Sequence, residues 1–506
     1  MLLLGVDIGT SELKAALFDE KAACLAVASR EYAIDHSGAG FAELNPEVLW
    51  RSVCDAVREV MSEHAHGGQS VALAFSTHGE SFVAIGDDDP VGPIVLNIDQ
   101  RAAVEMDEFA GAFGQERLYE ITGLPPHPMY TLAKILWMRK RQPEIFKKAR
   151  RFLCIQDYLL FRGTGEAIID FALASRTLGF DIDRGRWNGQ LLRYAGIAED
   201  QMARVASGGV AVGKLGPRAA EQMGLPQGTL CVTGGHDQAC TSIGAGGLAA
   251  GTAVDGTGTF ECISVATPER LPPSMAYHAN IPCERHTVPN RFLSLVYSPG
   301  GITLKWLRDE CGRDLAGKVQ GGSGDAYDQL LAGAPEEPTG LIFLPYLLGT
   351  GTPWIDANAT GVIYGITART TRNALARAAL EGVTCEMCWN LEMLDRLRVP
   401  VKQIVAVGGG ARSGVWLQLK ADIFGRPVTA LPGEAACRGA AMCAGIGAGI
   451  YSSFESASAT VIPPGTTYEP RTTMHGRYKE VFEQYKQLAG RIYGYELPVS
   501  GSQTHA

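Results

Sequence analysis

The sequence predicts an α/β protein of two domains packed about a central cleft. Three observations carry that expectation. The chain has 506 residues, and at about 150 residues per domain this is too long for one ordinary core. Strand-like and helix-like patterns alternate in both halves, as α/β architecture requires. Glycine is in excess, at 61 residues or about 12% against a usual ~7%, and the glycines cluster at the ends of expected strands.

Residues 2–8 read as a buried strand, and 13–19 and 24–34 continue it as an antiparallel meander with a turn at Glu20-Lys21. Asn45 and Pro46 then start a helix, whose stripe of Val48, Leu49, Val53, Val57, Val60 and Met61 ends before Gly67-Gly68. A strand over 71–76 follows, then a hairpin of 82–85 and 93–97 about the solvated turn Asp87–Pro90. The second half repeats the theme with strands over 230–234, 252–256, 292–297 and 403–407 and helices over 237–248, 301–311, 372–394, 413–424 and 434–449. The join is expected in the glycine-rich stretch Gly244–Gly251, dividing the chain into 1–246 and 247–506. With no long linker, the domains should pack together around a cleft.

Composition excludes several function classes. Lys and Arg number 45 against 54 Asp and Glu, a net charge of -9 with no basic stripe, which argues against nucleic acid or an anionic membrane as partner. No charge-free stretch reaches the roughly 20 apolar residues of a membrane helix. The start Met1–Asp7 has no basic region of a signal peptide, so a cytoplasmic location is expected. The twelve cysteines read as buried thiols of a reducing compartment, and Cys385 and Cys388, in an expected helix, as core rather than as a metal or redox site. His64, His66 and the tail 501–506 read as solvated.

Five segments can carry chemistry. Asp7-Ile8-Gly9-Thr10-Ser11, with Lys14 after it, is a strand end turning on glycine. Backbone N–H groups and hydroxyls there suit a polyphosphate and Asp7 a hydrated cation, although an ordinary β-turn has the same residues. Asp255-Gly256-Thr257-Gly258-Thr259 repeats the pattern in the other half, so two such turns can grip one phosphate chain. Gly408-Gly409-Gly410-Ala411 between strand and helix lets a flat ring approach the backbone; it is neither a Walker loop nor a G-x-G-x-x-G turn. Gly244–Ala249 has G-x-G-x-x-A spacing but does not open a helix, and is discounted. Asp237, on a glycine turn at a helix start, is a helix cap or a general base, and the phosphate-type turns favour the base. Ser76–Glu80 and Asn97–Arg101 are polar clusters suited to a polyhydroxyl ligand or to salt-bridged loops.

Taken in order, these segments resemble the FGGY carbohydrate kinase family, over about residues 3–450. Asp7-x-Gly9-Thr10-Ser11 matches its first phosphate motif, Asp99-x-Arg101 its Trp-x-Asp-x-Arg segment, and Met129–Trp137 a signature block. Ser175-Arg176-Thr177 matches a further stretch, Gly235-His236-Asp237 the block of the catalytic Asp, and Gly258-Thr259 the second phosphate motif. Gly300-Gly301 with Trp306-Leu307 matches the segment beneath the nucleotide, and Gly409-Gly410-Ala411 the adenosine motif.

The resemblance implies two ribonuclease-H-like domains of the actin-like ATPase kind and an ATP- and Mg²⁺-dependent kinase of a sugar or polyol. It assigns Asp237 as catalytic base and His78, Gly79, Glu80, Asn97, Asp99, Arg101 and Asp237 as substrate contacts. Gly9, Thr10, Ser11, Lys14, Gly258, Thr259, Gly301, Lys305, Gly409, Gly410 and Ala411 would contact ATP, and Asp7 and Asp237 would hold Mg²⁺ through water. Gly79 and Asn97 stand where glycerol kinases have Arg and Trp, so a roomier pocket for a five- or six-carbon ketose or polyol is expected. In the loop 343–365, Thr350-Gly351 replaces the family's Glu-Arg. A homodimer is left open as the assembly. The rival reading is a nucleotide-switched actin- or chaperone-like protein, which needs neither Asp237 nor the cluster about His78 and Asn97; an inactive sugar sensor would lack the base.

Overall fold

The computed structural model describes every residue except 22, 37, 39, 63, 65–69, 317–329, 462–464 and 498–506. His66, the helix stop at Gly67-Gly68 and the tail 501–506 lie outside the described residues. Strands β1 (Leu2–Ile8), β2 (Glu12–Phe18) and β3 (Cys24–Glu31) form the expected meander. Helix α1 (Pro46–Ser62) opens as read, with Asn45 Oδ1 accepting from Glu47 N at 2.8 Å. With β4 (Val71–Thr77), β5 (Ala211–Lys214) and β6 (Leu230–His236) they build one sheet in the order β5-β6-β4-β1-β2-β3. The pairs β6/β4 and β4/β1 are parallel and the others antiparallel.

Helix α2 (Asp237–Gly244) leads into the second half. It ends four residues before its expected end at 248, because a Cβ on Gly247 would stand 2.6 Å from Ser242 Oγ and Gly246 takes a left-handed φ of 77°. The second sheet uses β7 (Thr252–Thr257), β8 (Phe260–Thr267), β9 (Cys283–Arg285), β10 (Phe292–Pro299), β11 (Gln403–Gly408), β12 (Val428–Ala430) and β13 (Thr466–Tyr468). Its order is β9-β10-β8-β7-β11-β12-β13. Read from β13, the succession of antiparallel, parallel, parallel, antiparallel, antiparallel repeats that of the first sheet. The fold is thus an internal duplication of the ribonuclease-H-like pattern.

Helices α3 (Gly301–Cys311), α4 (Arg372–Arg396), α5 (Gly414–Phe424) and α6 (Ala435–Gly447) follow the expected pattern. Helix α4 buries Cys385 and half-buries Cys388, and all twelve cysteines are unpaired. Helix α6, late in the chain, lies on the first sheet between the halves, where Cys437, Ala440, Ala441 and Cys443 share a core with Leu3, Ala72, Ala74 and Val232. The approach is close enough to demand glycine: a Cβ on Gly5 would stand 1.9 Å from Cys437 O, and one on Gly439 1.9 Å from Cys240 O. This crossing brings Glu434, just ahead of α6, to the same opening as Asp237.

The expected hairpin forms about the turn Asp87–Pro90, with Gly86 N donating to Asp89 O at 2.8 Å, Val91 N to Ala84 O at 2.9 Å, and Ile85 and Phe82 opposite Pro90 and Val95. The other edge of Phe82–Ile85 pairs along its length with Arg151–Cys154, a partner that the sequence did not announce. All four of these residues are buried, so the strand needs a partner throughout. No helix among the described residues is long and apolar enough to cross a membrane.

Candidate active site

A cleft of about 920 Å³ opens between the two sheets. Asp7 and Lys14 of the first hairpin form one wall, Asp237 and Gln238 at the start of α2 the floor, and Gly256-Thr257-Gly258 of the second hairpin the facing wall. Gly408, Gly409 and Ala411, with Pro432–Ala436 running into the first residues of α6, complete it. Local chemistry fixes both hairpins: Gly9 N donates to Glu12 O at 2.9 Å, and Gly258 N to Phe260 O at 2.9 Å. Gly301, the first residue of α3, donates its N–H to Gly258 O at 3.0 Å and so braces the second hairpin from behind.

Charge is concentrated around Asp7 and Asp237. Asp7 accepts from Ser76 Oγ at 2.6 Å, and burial, with the nearby Asp237 and Glu434 carboxylates, pushes its pKa up to about 7. Lys14 Nζ pairs with Glu434 at 3.1 Å, tying the first hairpin to the approach to α6. Asp237 Oδ1 stands 3.1 Å from His236 Nε2, and His236 Nδ1 lies 2.8 Å from Glu284 Oε1. Glu284 takes the Nδ1 hydrogen bond and Asp237 stands at Nε2 as an ion-pair partner, so the ring sits between two carboxylates that favour its charged form. Burial opposes that charge, but Glu284 and Asp237 outweigh it and raise the His236 pKa to about 9. Glu284 Oε2 is 3.5 Å from Arg176 Nη1, and Arg176 Nε donates to Glu80 Oε1 at 2.5 Å. Burial works to raise the Glu80 carboxyl, yet Arg176 holds it below the usual range. A chain of alternating charge thus runs from Glu80 to Asp237, with Glu80 held at a left-handed φ of 63°.

The structure brings many of the expected residues to the cleft and corrects others. Asp7, Lys14, Asp237, Gly258, Gly409 and Ala411 line it. Gly410 instead backs onto Thr257. Thr259, expected to reach phosphate, lies past the strand end at the exposed hairpin tip, its carbonyl taken by Gly300 N and Ile302 N; Thr257 lines the cleft instead. Lys305 is exposed on α3. Ser11 is exposed beside Gly9, and Thr10 Oγ1 donates to Asn97 Oδ1 at 3.3 Å, joining the first hairpin to the half-buried Asn97.

His78 is buried with both ring nitrogens engaged, Nδ1 donating to Ile8 O at 3.0 Å and Nε2 accepting from Ser81 Oγ at 2.8 Å; burial lowers its pKa. It stitches the β4 end to β1 rather than offering a free nitrogen. Asp99 and Arg101 are corrected likewise: Asp99 takes Arg101 Nε at 2.9 Å and Ala42 N at 2.7 Å, while Arg101 bonds Glu43 at 2.7 Å and lies 3.8 Å over the Phe41 ring. With side chains 0% and 1% exposed, they form a clamp behind the pocket. Gly79 leaves less room than expected, because a Cβ there would meet Arg176 Cβ and Cγ at 3.0 Å. In the variant loop, Gly351 is required by backbone packing, since a Cβ would stand 1.9 Å from Tyr297 O.

Sequence reasoning missed Glu284 and a second buried cluster. Lys420 Nζ meets Asp255 at 2.5 Å, Glu261 at 3.1 Å and Thr257 Oγ1 at 3.2 Å beneath the second hairpin. Lys420 stands 159 or more positions from each of these partners, so no local pattern announces the cluster. Among the described residues no group of three or more His, Cys, Asp and Glu side chains forms a metal cage. A hydrated Mg²⁺ held by one or two carboxylates and substrate phosphates is what Asp7 and Asp237 fit.

The model of the FGGY family of carbohydrate kinases matches residues 2–244 with its N-terminal domain and 252–448 with its C-terminal domain. The chain is 29% identical to a xylulose kinase of Bacillus subtilis over 96% of both chains, and 29% identical to a gluconokinase of the same organism over 96% of this chain and 94% of that one. A crystal structure described as a xyloylose kinase from Brucella ovis superposes with a TM-score of 0.87 at 26% identity, covering 98% of this chain and 100% of that one.

Proposed function

The chain belongs to the FGGY family of carbohydrate kinases, and on that premise we propose that it transfers the γ-phosphoryl group of ATP to a hydroxyl of a five- or six-carbon ketose or polyol. The observation that carries this reading is Asp237 on the floor of a cleft walled by two glycine hairpins. The division we propose, 1–246 and 247–506, falls in the turn between α2 and β7; we put the nucleotide against the C-terminal domain, whose Gly408, Gly409 and Ala411 line the cleft, and the acceptor against the N-terminal one. Unpaired cysteines accord with a reducing, cytoplasmic setting.

Phosphoryl transfer passes through a loose, in-line transition state, so the protein's contribution is positioning and charge stabilisation. Asp237 orients the acceptor hydroxyl and takes its proton as the oxygen attacks. Backbone N–H groups of the two hairpins and Lys14 face the phosphates, while Gly409 and Ala411 accept the flat face of the base. The chemistry Mg²⁺ supplies when bound is neutralisation of phosphate charge, and Asp7 and Asp237 are the carboxylates that would hold it through water. Closure of the halves excludes water and limits wasteful hydrolysis.

Arg176 is matched by Glu80 and Glu284, and His236 by Glu284 and Asp237. These buried cations are spent on protein carboxylates, which favours a neutral acceptor over an aldonate. The test is coupled ADP release across C3 to C7 ketoses and polyols with gluconate beside them. A five- or six-carbon neutral acceptor should give the highest kcat/KM and glycerol a much lower one. Glycerol as best acceptor would refute the pocket, and ATP hydrolysis indifferent to every acceptor would favour the nucleotide-switch reading.

A further inference from the structure

Strand β9 serves both halves of the molecule. It is the edge strand of the second sheet, with Glu284 opposite Leu293 of β10. Its free side docks on the first half: Cys283 N donates to Gly123 O at 2.8 Å and Arg285 N to Ser175 Oγ at 3.2 Å. Just beyond it, Thr287 Oγ1 donates to Asp170 Oδ2 at 2.7 Å, and Gly208 N to Thr287 O at 2.9 Å. Glu284, 0% exposed, is thereby delivered from the C-terminal half to His236, whose other nitrogen faces Asp237.

We propose that Glu284 is a positioning residue for Asp237, acting through His236 across the interface between the two halves. The inference rests on the reading of Asp237 as the base. His236 is 4% exposed and held at both nitrogens, so it cannot turn without breaking one contact. Its Nε2 stands 3.1 Å from Oδ1 of Asp237 and draws that oxygen inward by charge, which leaves the remaining oxygen of a side chain 29% exposed to face the acceptor. A base oriented by a third group is a recurring catalytic device. Here that third group belongs to the opposite half of the chain, so the aim of the base depends on how the halves are docked. Arg176, between Glu284 and Glu80, extends the same coupling to the acceptor pocket.

The experiment compares Glu284→Ala, Glu284→Gln and His236→Phe with the parent, alone and in an Asp237→Asn background. Rates are read by ADP release with xylulose and with gluconate, and as basal MgATP hydrolysis if neither exceeds it; thermal melting reports folding. Glu284→Ala should lower kcat about tenfold to a hundredfold with KM for ATP within about twofold. Glu284→Gln, which keeps an acceptor for His236 Nδ1, should recover most of the loss, and neither change should cost more once Asp237 is Asn. An unchanged kcat in folded Glu284→Ala, or a full further loss on top of Asp237→Asn, overturns the proposal. If Glu284→Ala does not fold, His236→Phe carries the same expectation, and parental turnover in it is equally fatal. An active Asp237→Asn enzyme is a different failure, that of the base assignment itself.

Discussion

Gly409 and Gly410 are neighbours in the turn after β11, yet a methyl added to each meets different surroundings. On Gly410 the new Cβ would stand 2.7 Å from Thr257 Cβ, 2.8 Å from its Cγ2 and 2.9 Å from its Oγ1. Carbon atoms prefer about 3.5–4.0 Å, so the two turns must part by roughly 1 Å. On Gly409 the nearest protein atom, Thr257 O, is 4.0 Å away, and the methyl faces the cleft. Gly410→Ala should therefore cost about 1–3 kcal/mol of stability, the range for overpacking, and misplace both walls of the nucleotide site. Gly409→Ala should leave stability within about 0.5 kcal/mol while obstructing the ligand itself. Denaturant unfolding without nucleotide, set beside ATP titration calorimetry, separates the two: weaker ATP binding in both variants, lost stability only in Gly410→Ala. Equal stability of the two proteins, or undiminished ATP affinity in Gly409→Ala, would refute the placement of this turn.

Two further expectations concern buried charge. Burial pushes the Glu386 pKa from 4.5 up to about 7, partly offset by the Tyr485 and Tyr346 hydroxyls. A raised carboxyl stabilises most below its unfolded pKa and loses that contribution as pH rises through the folded value, here between about 4.5 and 7. Glu386→Gln should thus gain on the parent by about 3 kcal/mol between pH 4 and pH 9 in urea melts, at 1.36 kcal/mol per pKa unit, and a pH-independent difference would contradict the assignment. Lys420→Met strands Asp255 and Glu261 without their cation, so unfolding should become easier by about 3–5 kcal/mol; a loss below about 1 kcal/mol would show that the cluster is not held by Lys420.

What the sequence disclosed follows the range of the interactions. Strand ends marked by glycine, the Asn45-Pro46 helix start and the run into Asp237 are local, and each is where the residue pattern places it. The paired hairpins were legible because duplication prints the same motif twice, although the turn at Gly258 puts Thr259 at the hairpin tip and leaves Thr257 on the cleft. Asp99 and Arg101 read as ligand contacts because a polar cluster at a strand end looks the same whether it faces a ligand or a buried partner. Glu43 and Phe41, which decide the matter, lie on another segment. Glu284 had no signal at all, standing 48 positions from His236 on an edge strand of the other sheet. The return of α6 to the first sheet was equally silent, since its small residues fit any close helix contact.

If Asp237 is the base of an acceptor-dependent kinase, Asp237→Asn, which preserves shape and removes the proton acceptor, disables turnover and spares the nucleotide site. Measured by ADP release with the best acceptor and by calorimetric titration with ATP, the variant should turn over about 10²- to 10⁴-fold more slowly with ATP affinity nearly unchanged. Retention of most of the parental rate by a variant that still binds ATP would contradict that role.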